Sequence, residues 1–342
     1  MQSTADPSHE RLAAEYCGRQ LKSLARQLDG VRRAEDIEHV HQARVASRRL
    51  RAALKTLGDC FAAKQVRTWR KAIRRLGRAL GPARDADVQI AFVGEFLHHL
   101  PSPAYRPGVA RRLLRLRQGR TALQREVVKA VDRFEATGVL RQMRTAMIPR
   151  ARQLRRSGAG YASPEVFRQA QQHILARLER VLSHEHSLAD PDDQQRHHAM
   201  RIAAKRLRYT MELFKPAYEP VLDPFIGAAK RTQTLLGEMR DCDVWMAQLD
   251  AFDREERRRT LEYYGHDRPY ELLKTGIHYL RQERQIRRRA LFRETADYWS
   301  DLSAGGFWGE LVRTLRSHVG PADRPAAPIL RDPLPAAHTG AG

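Results

Sequence analysis

The sequence predicts an all-α protein made of two related halves of about six helices each. Three observations carry this prediction. Apolar residues recur at helical spacing almost throughout, no segment alternates as a strand would, and the chain repeats itself. Residues 41–51, HQARVASRRLR, are matched by HAMRIAAKRLR at 198–208, an offset of 157. Downstream, LGPARDADV at 80–88 is echoed by LGEMRDCDV at 236–244, an offset of 156. Both motifs thus stay in register across some thirty residues.

The elements follow in order. Helices are expected near 8–28, 36–59, 62–80, 85–100, 107–136 and 138–156, then near 164–184, 193–217, 219–238, 241–262, 268–293 and 295–317. RRSGAGYASPE (155–165) is the connector, with Ser163 as N-cap and Pro164 in the first helical position. The halves therefore span about 8–160 and 161–318 of a single domain. From 319 to 342 the chain is rich in Pro, Ala and Gly without periodicity and is expected to be a disordered tail.

The first motif defines a basic face. His41, Arg44, Arg48, Arg51 and Lys55 fall within about 80° of one another at 100° per residue. Ala46, Leu50, Ala53 and Leu54 lie on the other side. Cations at i,i+4 repel by a few tenths of a kcal/mol per pair, so a stripe of one sign implies an anion opposite it. Two such stripes related by approximate twofold symmetry would make a groove or channel lined from both sides, whose low-dielectric walls focus the field on a polyanion.

The net charge is +22 on a chain of 342 residues, with 42% apolar residues, enough for a folded core beneath the charge. Arginine outnumbers lysine, and its planar fork suits bidentate phosphate contacts. Cys17, Cys60 and Cys242 form neither a disulfide framework nor a zinc spacing. No apolar run approaches 18 residues and no secretory leader opens the chain, so a cytoplasmic protein with no membrane partner is expected.

His41 and His198 begin the two stripes, where phosphate charge would favour the doubly donating cation. The neighbouring His39 and His197 do not share a spacing, which argues against a repeated metal pair. His98, His99, His184 and His186 have no echo and read as surface residues. Asp85 with Asp87, and Asp241 with Asp243, could hold a metal beside phosphate. Residues two apart on a helix diverge by about 160°, however, and both pairs fall where a helix is expected to begin, so capping or orienting an arginine is the favoured role. Arg84 and Arg240, just before them, are the better ligand contacts. There is no P-loop, zincin motif or nucleophile elbow, so neither catalysis nor a bound cofactor is expected.

The two H-x-x-R-[VI]-x-x-[RK]-R-L-R stretches and the two L-G-x-x-R-D-x-D-V stretches resemble the CHAD family, the conserved histidine α-helical domain, over residues of about 8–318. The resemblance implies two helical bundles around a basic cavity, binding of inorganic polyphosphate, and association with polyphosphate granules. Family members fused to a CYTH domain draw catalysis from it, and this chain is expected to be a stand-alone member without one. The implied binding set is His41, Arg44, Arg48, Arg49 and Arg51 with His198, Arg201, Lys205, Arg206 and Arg208, joined by Arg74, Lys230, Arg84 and Arg240. A weaker third echo, LRQGR (116–120) with LRQER (280–284), adds Arg117, Arg120, Arg281 and Arg284. Lys205 stands where the first half has Arg48, so the halves need not bind equally. Non-specific nucleic-acid binding is the alternative. Aromatic residues are only 7% of the chain, and Tyr209 alone lies within a stripe, which leaves few rings for stacking bases. An inward-facing stripe does not suit a DNA groove either.

Overall fold

The computed structural model describes residues 6–319, so nearly all of the expected tail lies outside the described residues. Ten α-helices fill that span: α1 (Pro7–Arg33), α2 (Ile37–Thr56), α3 (Ala63–His98), α4 (Arg106–Ala136), α5 (Val139–Arg156), α6 (Pro164–Leu182), α7 (Gln194–Tyr218), α8 (Asp223–Tyr264), α9 (Arg268–Ala304) and α10 (Phe307–Ser317). Short 3₁₀ turns at 58–60, 103–105 and 185–189 punctuate them, and no strand occurs among the described residues. Short polar side chains start several of these helices. Asp36 accepts from the Glu38 amide, and Ser163 accepts from the Val166 amide ahead of Pro164 as expected.

The chain divides into two compact units. The first comprises the described residues up to Gly160 together with Trp245–Arg284, and the second comprises Tyr161–Val244 and the residues from Gln285 onward. One boundary between the units falls at the connector, and residues 245–284, assigned from the repeat to the second half, pack in the first unit. Their apolar side chains explain this placement: Trp245, Leu249, Phe252, Leu273, Ile277 and Leu280 form one buried cluster with Val93, Val109, Leu113 and Leu116 of α3 and α4. Where α4 meets α9 in that unit, a Cβ on Gly108 would overlap the Leu273 carbonyl, and one on Gly276 the Tyr105 carbonyl. Glycine at both positions lets the backbones touch.

Three expected helix breaks do not occur where the sequence placed them. Gly81–Pro82 reads as a stop, yet α3 continues through it. Its buried face runs Trp69, Ile73, Leu76, Leu80, Ala83 and Asp87 at unbroken helical spacing. Burial of that face outweighs the roughly 3 kcal/mol that an interior proline costs. Helix α8 likewise runs through residues 239–240, with Leu235, Leu236, Met239, Cys242 and Asp243 all buried. The last break falls at Gly305–Gly306 instead of near 294, and Gly306 adopts a positive φ of 59°.

Candidate functional site

In the first unit α2 packs antiparallel against α3, and two glycines fix the register. A Cβ on Gly77 would lie 3.9 Å from the Ser47 Cβ, and one on Gly81 would lie 2.8 Å from Arg44 Nη1. Advancing along α2 and retreating along α3 by the same number of residues sets His41 beside Arg84, Arg51 beside Arg74 and Lys55 beside Arg70. The electrostatics agree with this register. The His41 imidazole is held below the usual histidine value by desolvation, then by Arg84, with further contributions from Arg48 and Arg44 and a partial offset from Glu38. Arg51 is desolvated and surrounded by Arg74, Arg70 and Arg78. Arg44 is desolvated too, and the Asp85 carboxylate stands at 3.8 Å from it.

The second unit repeats the arrangement on α7 and α8. His198 is pushed down by desolvation, then Arg240, Arg201 and Lys205, and its Nδ1 is buried with no hydrogen-bond partner among the described residues. A Cβ on Gly237 would approach Arg201 Nε to 3.3 Å.

Four of the five letters of the L-G-x-x-R-D-x-D motif now have a physical cause. Leu80 and Leu236 are fully buried core. Gly81 and Gly237 leave room for Arg44 and Arg201. Arg84 and Arg240 stand over the histidines. The second aspartates are buried anchors: Arg120 Nε donates to Asp87 at 2.6 Å, and Arg288 Nε donates to Asp243 at 2.8 Å. The expectation that these carboxylates cap a new helix is thus corrected, because both lie inside continuous helices, while their expected role in orienting an arginine is what the geometry displays. The two aspartates of a pair diverge, Asp87 and Asp243 inward, Asp85 and Asp241 toward solvent.

These anchors also correct the third echo. The partner of Arg120 is Arg288, not Arg284, and the sequences around them, R-x-A-L-x-R-E at 120–126 and 288–294, repeat once aligned this way. The shared letters LRQ drew the wrong register. From aspartate to arginine the first half spans 33 residues and the second 45, so the second hairpin is longer by twelve. Arg281 and Arg284 accordingly lie in the first unit. Arg281 pairs with Asp250 at 2.5 Å, and Arg284 lies 4.3 Å from the Phe92 ring centroid.

The remaining expected residues fall as follows. Arg48, Arg51, Arg74 and Arg117 in the first unit, and Arg206 and Lys230 in the second, are exposed; Arg49 and Lys205 are half-buried beside their stripes. Arg208 is engaged by Glu212 at 2.6 Å and Gln233 at 3.0 Å, and stacks on Tyr209. His39 and His197 are structural. His39 Nδ1 meets Gln27 at 2.8 Å, and buried His197 meets the Ser187 carbonyl at 2.8 Å. Arg70 and Arg78 were missed, although their spacing of four from Arg74 on one helix face was readable. Among the described residues the group with metal-ligand chemistry is His9, Asp59 and Cys60, at the start of α1 and the 58–60 turn. No described helix is long and apolar enough to cross a membrane.

This pair of His-Arg faces, each set against an Arg-Asp helix, defines an all-helical protein with a duplicated cationic face. The CHAD domain family matches the chain over residues 15–250, and the chain belongs to that family. The crystal structure of the CHAD domain from the plant Ricinus communis is similar in fold, with a TM-score of 0.56 at 23% identity, covering 79% of this chain and 91% of that one. No curated protein matches the sequence.

Proposed function

We propose that this protein binds linear inorganic polyphosphate in its two basic troughs, without catalysis, and that this binding associates it with polyphosphate granules in the cytoplasm. The observation that carries the reading is the pairing, in both units, of a half-buried histidine with arginines from two helices whose charges repel one another. Clustering of this kind costs stability in the free protein and is offset when a multiply charged anion fills the trough. A row of phosphates presents charge at short, regular intervals and takes bidentate bonds from guanidinium groups. Binding without turnover is supported by the carboxylates: Asp87 and Asp243 are occupied by Arg120 and Arg288, which leaves one outward aspartate per motif.

The test is a titration with long-chain polyphosphate, triphosphate and duplex DNA at one salt concentration, on the wild type and on Arg44→Glu/Arg201→Glu. The expected order is polyphosphate well ahead of the other two. The double variant should lose at least a hundredfold in polyphosphate affinity with its helical circular dichroism intact. Tighter binding of DNA than of polyphosphate would move the assignment to nucleic acid.

A further inference from the structure

The two troughs are alike at the histidine end and differ at the other. At the far end of α2 and α3 the first unit presents Arg51, Lys55, Arg67, Arg70, Arg74 and Arg78. No carboxylate stands within ion-pair distance of Arg51, Arg70, Arg74 or Arg78 among the described residues. The repeat offsets place Glu212 of the second unit where Lys55 stands, Ile226 where Arg70 stands, Thr234 where Arg78 stands and Asp223 where Arg67 stands. There Glu212 neutralises Arg208 at 2.6 Å, and Asp223 pairs with Lys215 at 2.7 Å. Each of these differences removes a cation or adds an anion at the same end of the second trough.

Resting on the polyphosphate reading above, we propose that the first unit carries a cationic track, Lys55, Arg70 and Arg78 beyond the repeated motif, that seats the outlying stretch of a long polyphosphate chain, and that the second trough is closed to such a stretch by Glu212. The helical register supports the track. Residues 70, 74 and 78 recur every fourth position on α3, so they advance along one side by about 6 Å per step. They face Lys55 and Arg51 of α2 in the register that Gly77 and Gly81 fix. The Arg51 guanidinium is held below its usual value by partial burial and then by the charges of Arg74, Arg70 and Arg78, which fits the same crowding. Short phosphates, held at the histidine end, do not reach these groups.

An exchange between the halves tests this directly. Lys55→Glu/Arg70→Ile/Arg78→Thr gives the first unit the second unit's residues, and Glu212→Lys/Ile226→Arg/Thr234→Arg does the converse. All of these positions lie on exposed or half-buried helix faces, and circular dichroism with thermal melting checks the fold of each variant. The first exchange should lower affinity for long-chain polyphosphate at least tenfold and make its salt dependence shallower, with triphosphate affinity changed less than twofold. The second exchange should raise long-chain affinity. If the first exchange leaves long-chain affinity unchanged while Arg44→Glu/Arg201→Glu abolishes it, the track is wrong and the polyphosphate reading stands. Failure of the wild type to bind long chains would overturn that reading itself.

Discussion

His41 and His198 are cationic only when something anionic holds them so. In the free protein, desolvation and the facing Arg84 or Arg240 keep both imidazoles below their usual value, so near neutral pH they are uncharged. A phosphate chain reverses the sign of the local potential and raises both. Binding therefore takes up protons, and affinity falls as pH rises from the lowered value of the free imidazoles through the raised bound value. The expected slope of log K against pH lies between zero and minus two. His41→Gln/His198→Gln should flatten it, as measured by titration at four pH values; an unchanged slope would remove the histidines from the site. Gly81 is the second residue with a double role. Gly81→Ala should gain up to about 1 kcal/mol of helix stability, yet its Cβ displaces the Arg44 guanidinium. A variant with a higher melting temperature and several-fold weaker polyphosphate binding is the expected outcome. The motif arginines were legible in the sequence because they repeat. The need for glycine was not, because it depends on a side chain 37 positions earlier.

The helices show where sequence signals compete. Gly81–Pro82 argued for a stop and the apolar spacing argued for continuation. Packing decided, since α3 buries a continuous face from Trp69 to Asp87. The buried pairs Asp87–Arg120 and Asp243–Arg288 tie α3 to α4 and α8 to α9 across 33 and 45 residues. Removing one partner leaves a buried charge uncompensated, at about 3–5 kcal/mol. Asp243→Ala should therefore lower stability by roughly that amount in urea unfolding. Asp87→Ala should cost less, because the Arg120 side chain is 13% exposed against 6% for Arg288 and can reach water more readily. Equal, negligible effects would mean that these pairs do not position the hairpins. The second of these arginines was hidden from sequence reading by an insertion of twelve residues, which slid a short textual match, LRQ, into the wrong register.

At the scale of the whole molecule, the all-α class was readable from periodicity and the absence of strand-like alternation. The membership of residues 245–284 was not, since a repeat records descent and says nothing of which core a lengthened hairpin joins. Trp245, Phe252 and Ile277 find theirs with Val93 and Leu113. What unites the molecule physically is charge. The chain carries a net charge of +22, and in the basic troughs it is only partly offset: Glu212 pairs with Arg208, whereas Arg51, Arg70, Arg74 and Arg78 have no carboxylate within ion-pair distance among the described residues. If those troughs bind a linear polyanion, affinity must come largely from displaced counterions, at about 0.7–0.9 in the slope of log K against log salt for each phosphate neutralised. The decisive measurement is that slope, taken in parallel for long-chain polyphosphate and for triphosphate between low and physiological salt. The account predicts a linear decline steeper than about minus three for the long chain and clearly shallower for triphosphate. Equal affinities with a flat response for both would contradict it, and would point to a small pocket that recognises one phosphate group.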